Sequence, residues 1–185
     1  RSGTGGGVPQ YTAPLTDDEV FTQAIARYDS ALTLITGTDA QAIAVRNATL
    51  IAKGRAQVAL GQFAAAAATV SGVPTSYAYI LTYSIPTQVN EWWQMSTATR
   101  RYSVGDTIGL VSGAQNNLPF GSANDPRVIS KRSASNSFDG LTPFDSLGNW
   151  GREDPISLVN GLDARLIEAE AQLQSKNAAG WLAMN

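Results

Sequence analysis

The chain contains no cysteine and no histidine among its 185 residues. These absences exclude Ser-His-Asp and Cys-His nucleophile systems and the usual zinc sites, because each of them needs an imidazole or a thiolate. An enzyme would be left with carboxylate, lysine, serine or tyrosine chemistry. No disulfide can form, so the sequence says nothing about the redox compartment. We expect neither a cofactor nor a bound metal ion.

Charge is also scarce, since charged residues make up 15% of the chain and its net charge is -2. This balance leaves no surplus of cations to neutralise phosphates, so nucleic acid is not an expected partner. No apolar run approaches the roughly 20 residues that cross a bilayer, and no transmembrane segment is predicted. Residues 1–15 begin with a Gly-rich stretch that lacks the apolar core of a signal peptide, and we interpret them as a flexible lead-in.

The first regular element is predicted just after this lead-in. Thr16 and Glu19 have the spacing of a capping box, and apolar residues follow at helical intervals. A helix is therefore predicted over about 17–36. Gly37 is positioned to end it in the left-handed conformation.

Two further helices are predicted over about 39–60 and 62–71, joined by a tight turn at Leu60-Gly61. The small Gly54 is expected to allow close approach of a neighbouring helix. The pattern resembles a tetratricopeptide hairpin, in which helix pairs stack on further copies; it consists of Leu50, Gly54, Gly61, Phe63, Ala66 and Val70. A plain helical hairpin without repeat relatives is the alternative.

The patterning changes after Pro74. Residues 77–83 alternate with a period of two, which predicts a short strand, and Pro86 to Trp150 is rich in Gly, Pro, Asn and Ser, which predicts long loops. A last full helix is predicted over about 160–175, and another begins near Ala178. The predicted fold is mainly α, a single domain over 16–185 with helical hairpins at 16–74, a loop-rich insertion with few short strands at 75–155, and C-terminal helices at 156–185.

Four segments occur in an order that a known family shares. They are Arg27-Tyr28-Asp29-Ser30-Ala31-Leu32, the hairpin from Gly54 to Ala66, Asn124-Asp125-Pro126-Arg127-Val128, and the late helix Asp163-Ala164-Arg165-Leu166-Ile167-Glu168-Ala169-Glu170-Ala171. An extended step at Pro155-Ile156 lies between the last two. The order resembles the SusD/RagB family, helical proteins with tetratricopeptide-like units that sit over an outer-membrane TonB-dependent transporter.

The resemblance implies a non-catalytic cell-surface binding protein that captures glycans or other nutrients. Its partners would be an oligosaccharide or peptide ligand and a SusC-like TonB-dependent transporter. Family members usually carry an N-terminal lipoprotein cysteine and run well beyond this length, and the present chain has neither feature. We therefore expect part of a longer protein, anchored to the bacterial outer membrane by a lipid on a residue upstream of Arg1.

The loop-rich region holds the candidate ligand-binding residues. Aromatic faces next to guanidinium and amide groups can stack on sugar rings and hydrogen-bond their hydroxyls. The candidates are Trp92, Trp93, Arg100, Arg101, Tyr102, Asn149 and Trp150. The alternative for each Trp is a structural role, in which it anchors a long loop on the core.

Two other functions remain open. Loop carboxylates such as Asp139 with Asp145, or Glu153 with Asp154, could act as acid and base on a glycosidic bond, but no spacing selects either pair. The stronger alternative is a tetratricopeptide-type scaffold that binds a protein or peptide on its helices.

Overall fold

The chain divides into two compact units, one formed by Arg1–Tyr79 with Ser157–Asn185 and the other by Ile80–Ile156. A computed structural model describes residues 13–103, 123–126, 129–141, 143–148 and 150–183. In chain order its elements are α1 (Asp17–Leu34), α2 (Ala40–Ala59), α3 (Phe63–Val70), β1 (Ala78–Leu81), α4 (Glu91–Trp93), a π-helical turn (Gln94–Ala98), β2 (Ser130–Asn136), β3 (Pro143–Leu147), β4 (Ile156–Asn160), α5 (Gly161–Gln174) and α6 (Ala178–Ala183).

The described chain is mainly α-helical, with short strands in two small sheets. Helices α1, α2, α3 and α5 occupy the four predicted ranges, and β1 lies within the predicted extended segment. Strand β1 pairs with β4, and β2 pairs with β3 in an antiparallel hairpin. None of the helices in the described ranges combines the length and hydropathy that a membrane crossing requires.

Helix α1 begins as predicted and ends differently. The Thr16 side chain accepts from the Glu19 amide while the Glu19 carboxylate accepts from the Thr16 amide, which completes the capping box. The prediction that Gly37 ends the helix in the left-handed conformation is wrong, because the helix stops at Leu34 and Gly37 has no positive φ. The Arg46 guanidinium instead donates to the carbonyls of Ile35 at 2.8 Å and Gly37 at 3.0 Å. A side chain from α2 thus satisfies two carbonyls of the segment that follows α1.

The turn between α2 and α3 lies at Leu60-Gly61, as predicted. Gly61 has φ of +70°, its amide donates to the Val58 carbonyl, and the Gln62 amide donates to the Gln57 carbonyl. These two bonds form a Schellman motif, which closes α2 and reverses the chain.

The first unit is built on an apolar core between α2, α3, β4 and α5. Its buried members are Ile51, Ala66, Val70, Val73, Val159, Ala164 and Ile167, and Tyr77 and Tyr79 pack against them. Gly54 is buried in α2, and a Cβ there would lie 2.7 Å from Val70 Cγ1. The predicted close helix contact at Gly54 is therefore confirmed.

The second unit has a different interior. Among its described residues, the buried side chains are Phe144 and three polar ones, Asn90, Ser96 and Asp145. Hydrogen bonds of these buried polar side chains therefore stabilise this unit, and they also hold the segments that contain its aromatic residues.

Candidate functional site

The predicted site residues all belong to the second unit. Trp92 and Trp93 lie on α4, Arg100 to Tyr102 follow the π-helical turn, and Trp150 lies between β3 and β4. Asn149 is outside the described residues.

Asn90 connects the two tryptophan-bearing segments. It is completely buried, its side-chain amide donates to the Asp154 carbonyl at 2.8 Å, and its side-chain oxygen accepts from the Trp93 amide at 3.1 Å. Its own amide donates to the Arg152 carbonyl at 2.8 Å. One side chain therefore caps α4 and fixes the loop that contains Trp150, since a buried amide with unmet bonds is costly.

Trp92 and Trp150 form an aromatic pair. Their ring centroids are 5.8 Å apart and the ring planes are tilted by 30°, within the range of favourable aromatic contacts. Gly148 makes room for the Trp150 ring, because a Cβ at this glycine would lie 2.7 Å from ring atom Cε3. The Gly148 φ of +73° also favours glycine.

Two other aromatic rings of the second unit are each covered by a cation. The Arg152 guanidinium lies 5.0 Å from the centroid of the Trp93 ring, and that of Arg101 lies 3.9 Å from the centroid of Phe138. Both are cation–π distances. One face of Trp93 is consequently engaged within the protein.

The segment before Arg100 has two unusual backbone features. The Thr99 amide donates to the Gln94 carbonyl at 2.8 Å, which closes the π-helical turn, and Arg100 has φ of +51°. Isolated π turns and left-handed non-glycine residues occur frequently at functional sites, and a left-handed non-glycine residue costs about 1–3 kcal/mol that the surroundings must supply. The Arg100 Nε donates to the Asn136 carbonyl at 2.7 Å, which holds its side chain on β2.

A cavity of about 440 Å³ lies next to Arg100. Trp150 and Phe144 supply aromatic surface, and cations and hydroxyls supply the polar part. Its lining consists of Thr97, Arg100, Lys131, Arg132, Ser133, Ala134, Phe144, Ser146, Gly148 and Trp150.

A second cavity of about 420 Å³ shares Arg100 with the first. Arg101 and Tyr102 line it together with Met95, Ser137, Phe138 and Asp139. The Tyr102 amide donates to the Met95 carbonyl at 3.1 Å, and Tyr102 as a whole residue is 55% exposed. Of the predicted residues, Arg100, Arg101, Tyr102 and Trp150 therefore line a cavity, whereas Trp92 and Trp93 line neither of these two.

The four carboxylates considered for catalysis are engaged with neighbouring groups. Asp139 accepts from the Leu141 amide at 2.9 Å, and Asp145 forms a bidentate pair with Arg132 at 2.5 and 2.9 Å. Glu153 accepts from the Ile85 amide at 2.9 Å, and Asp154 accepts from the Gly151 amide at 2.6 Å. Across the described ranges, no three carboxylates come together in a group that could hold a metal ion.

Several lining residues carry no sequence signal. Strand β2 reads Ser-Lys-Arg-Ser-Ala-Ser-Asn, which lacks alternation of apolar and polar residues, so neither Lys131 nor Arg132 was predicted at the site. The Arg132–Asp145 pair also depends on the register of β2 against β3, where these two residues are partners. Opposite charges thirteen residues apart are a weak signal that only a hairpin prediction could have used.

Comparison of the chain with protein-family models, with curated proteins and with solved structures finds no match to any of them.

Proposed function

We propose that the chain is the ligand-capturing part of a non-catalytic cell-surface binding protein of the SusD/RagB type. It would bind an oligosaccharide in the second unit and deliver it to a TonB-dependent transporter of the bacterial outer membrane. The observation that carries the binding proposal is the cavity of about 440 Å³ lined by Trp150 and by polar side chains.

The volume and lining of this cavity fit a small ligand. Sites for small molecules commonly enclose about 300–1,000 Å³ and combine aromatic surface with a few placed polar groups. Trp150 can offer a ring to the apolar face of a sugar, while Thr97, Ser133 and Ser146 offer hydroxyl groups that both donate and accept. The hydrogen bonds of Asn90 and Arg100 hold the surrounding segments in place before a ligand arrives, which reduces the entropy lost on binding.

Three parts of the proposal depend on the order of the four sequence segments. They are the transporter partner, the lipid anchor and the relation to tetratricopeptide repeats. The antiparallel α2–α3 hairpin and the late α5 helix agree with that order. The carboxylates considered for catalysis are engaged with backbone amides and with Arg132, and this engagement supports a binding role.

The second candidate function is a helical scaffold for a peptide. Leu162 and Leu166 on α5 are 60% and 61% exposed, and Leu166 lines a cavity of about 280 Å³ with Arg55, Val58, Asp163, Ile167 and Glu170. A peptide bound there would contact the first unit and leave the tryptophans of the second unit unchanged.

The test is to replace Trp92, Trp93 and Trp150 separately with Ala and to measure both melting temperature and oligosaccharide affinity. Trp150→Ala should weaken binding about fivefold, since one aromatic contact is worth on the order of 1 kcal/mol. Trp181→Ala in α6 is the control and should leave the affinity unchanged. Loss of stability in every variant without a selective loss of affinity would show that the tryptophans are structural anchors.

Fluorescence separates the two candidate functions. An oligosaccharide in the second unit should shift or quench tryptophan emission, and the Trp150→Ala variant should lose most of that change. Emission that responds to peptides alone, with binding abolished by Leu166→Ala, would favour the scaffold.

A further inference from the structure

The cavity beside Trp150 is lined by cations without a matching number of anions. Arg100, Lys131 and Arg132 all contribute to its lining, whereas no aspartate or glutamate does. Of the three, Arg132 is neutralised by its bidentate pair with Asp145. Two positive charges therefore face the cavity without compensation from the lining, on a chain whose overall net charge is -2.

Neither of these two cations has an anionic partner in the described part of the chain. Ion pairs there join Lys53 with Asp29, Arg55 with Asp163, Arg132 with Asp145 and Arg165 with Glu168, and neither Arg100 nor Lys131 takes part. The two cations at the cavity are thus left for something else to neutralise.

Arg100 is also held in a fixed position. Its backbone occupies the left-handed region at φ of +51°, at the end of a π-helical turn, and its Nε donates to the Asn136 carbonyl at 2.7 Å. This bond uses one donor of the guanidinium and leaves the Nη groups for a ligand. A planar guanidinium fixed in this way suits the oxygens of a carboxylate or sulfate, which it can bind through two parallel hydrogen bonds.

Aromatic and anion-binding groups thus meet in one cavity. Trp150 and Phe144 provide apolar surface on the same lining as Arg100 and Lys131. A neutral sugar would use the aromatic surface and hydroxyls and leave both cations unpaired. An anionic sugar would use all of these groups.

We infer that the ligand of this cavity is an acidic oligosaccharide, one that carries carboxylate or sulfate groups, and that Arg100 and Lys131 bind its anionic group. This inference rests on the proposed capture of oligosaccharides in the second unit and specifies the chemical class of the ligand.

The test compares three trisaccharides by titration calorimetry. They are tri-galacturonic acid, its complete methyl ester and a sulfated trisaccharide, so that charge and the source of the anion vary while the length stays constant. At least one anionic trisaccharide should bind about tenfold more tightly than the ester, and its affinity should fall as NaCl rises from about 20 to about 500 mM. The relative affinities of the acid and the sulfated sugar identify which anion is preferred.

Two variants assign the effect to the proposed residues. Arg100→Gln and Lys131→Gln should each weaken binding of the anionic sugar about three- to tenfold, so that the ratio of the affinities for the anionic sugar and the ester falls towards one. Arg100→Lys retains the charge and should recover part of the affinity. Arg27→Gln, on the exposed surface of α1, removes the same charge from the first unit and should have no effect. Circular dichroism confirms that each variant is folded.

The outcomes separate this inference from the function on which it rests. Equal binding of the acid, the sulfated sugar and the ester, lost in Trp150→Ala, would overturn the preference for anions and leave oligosaccharide capture standing. Absence of binding to all three, together with an unchanged tryptophan emission, would overturn both. Anion-selective binding that persists in Arg100→Gln and Lys131→Gln would overturn the assignment to this cavity.

Discussion

Replacing Gly54 tests the packing of the first unit most directly. In the fold a Cβ at this position would lie 2.7 Å from Val70 Cγ1, 3.3 Å from Ile167 Cδ1 and 3.6 Å from the Ala66 carbonyl oxygen. Optimal separations between carbon atoms are about 3.5–4.0 Å, so the Val70 contact alone requires a shift approaching 1 Å. Val70 is completely buried and has little freedom to move.

The expected magnitude follows from two opposing terms. Gly54→Ala gains about 1 kcal/mol of helix propensity, while overpacking in a well-packed core costs about 1–3 kcal/mol. The alanine variant should therefore be neutral to about 2 kcal/mol less stable. Gly54→Leu adds three more carbons at the same place, so its loss should reach or exceed the upper end of the overpacking range.

Urea denaturation and thermal melting measure these changes. For a chain of this size, about 1 kcal/mol corresponds to a melting-temperature shift of roughly 2–4 °C. Gly72→Ala is the matched control, because a Cβ at Gly72 would meet nothing within 4 Å. Combining Gly54→Ala with Val70→Ala removes the clashing methyl group, so the double variant should lose less stability than the two single losses added together. An unchanged midpoint for Gly54→Leu would refute the close contact between α2 and its neighbours.

Two further predictions concern a turn and a helix cap. Gly148→Ala should destabilise the second unit by about 1–2 kcal/mol or more and alter the near-ultraviolet circular dichroism of Trp150, because it adds a ring clash to left-handed backbone strain. Gly140→Ala shares the strain at φ of +74° but has open space, so an equal effect of both variants on the aromatic signal would contradict the role of Gly148. Hydrogen bonds from the Thr16 amide and hydroxyl lower the pKa of Glu19 below its ordinary value of 4.5. The folded state therefore gains stability from Glu19 above that value and loses it as pH falls through the lowered pKa. The urea midpoints of wild type and Glu19→Gln, measured between about pH 7 and pH 3, should accordingly converge on acidification, and a constant difference would be inconsistent with this cap.

The parts of the fold that the sequence predicted well depend on neighbouring residues. The capping box of Thr16 and Glu19 spans three residues, and the Gly61 turn is closed by bonds to Gln57 and Val58. Helix periodicity is likewise local, which is why the bounds of α2 and α3 agree closely with the prediction.

Features that depend on distant residues were missed or predicted wrongly. The segment after α1 is held by Arg46 through side-chain bonds that no local pattern at Gly37 reveals. Gly161 has a comparable constraint, since a Cβ there would collide with the carbonyl oxygens of Pro74 and Thr75. Position 161 therefore requires glycine because of Pro74 and Thr75, which lie far earlier in the chain.

In the candidate site, too, local sequence predicted some features, and those that depend on distant residues were missed. Composition predicted that the functional surface lies in the loop-rich region, and Arg100, Arg101, Tyr102 and Trp150 do line cavities there. The pairing of Trp92 with Trp150, and the placement of Lys131 in the same cavity lining as Trp150, depend on turns and strand register that hydrophobic patterning does not encode. The roles of these residues as ligand contacts stay a prediction.

The first unit is made from two stretches of chain, and this has a consequence for its synthesis. Helices α2 and α3 leave the ribosome early, but Val159, Ala164 and Ile167 of the same core follow only after the whole second unit. The Arg55–Asp163 pair spans 108 residues, which at about 5–20 residues per second is roughly 5–20 s of translation. During that interval Ile51, Ala66 and Val70 have no α5 to cover them, so the nascent hairpin presents an apolar face. We therefore expect chains that stall before α5 to be held by chaperones or to aggregate, and we expect the first unit to fold after the second.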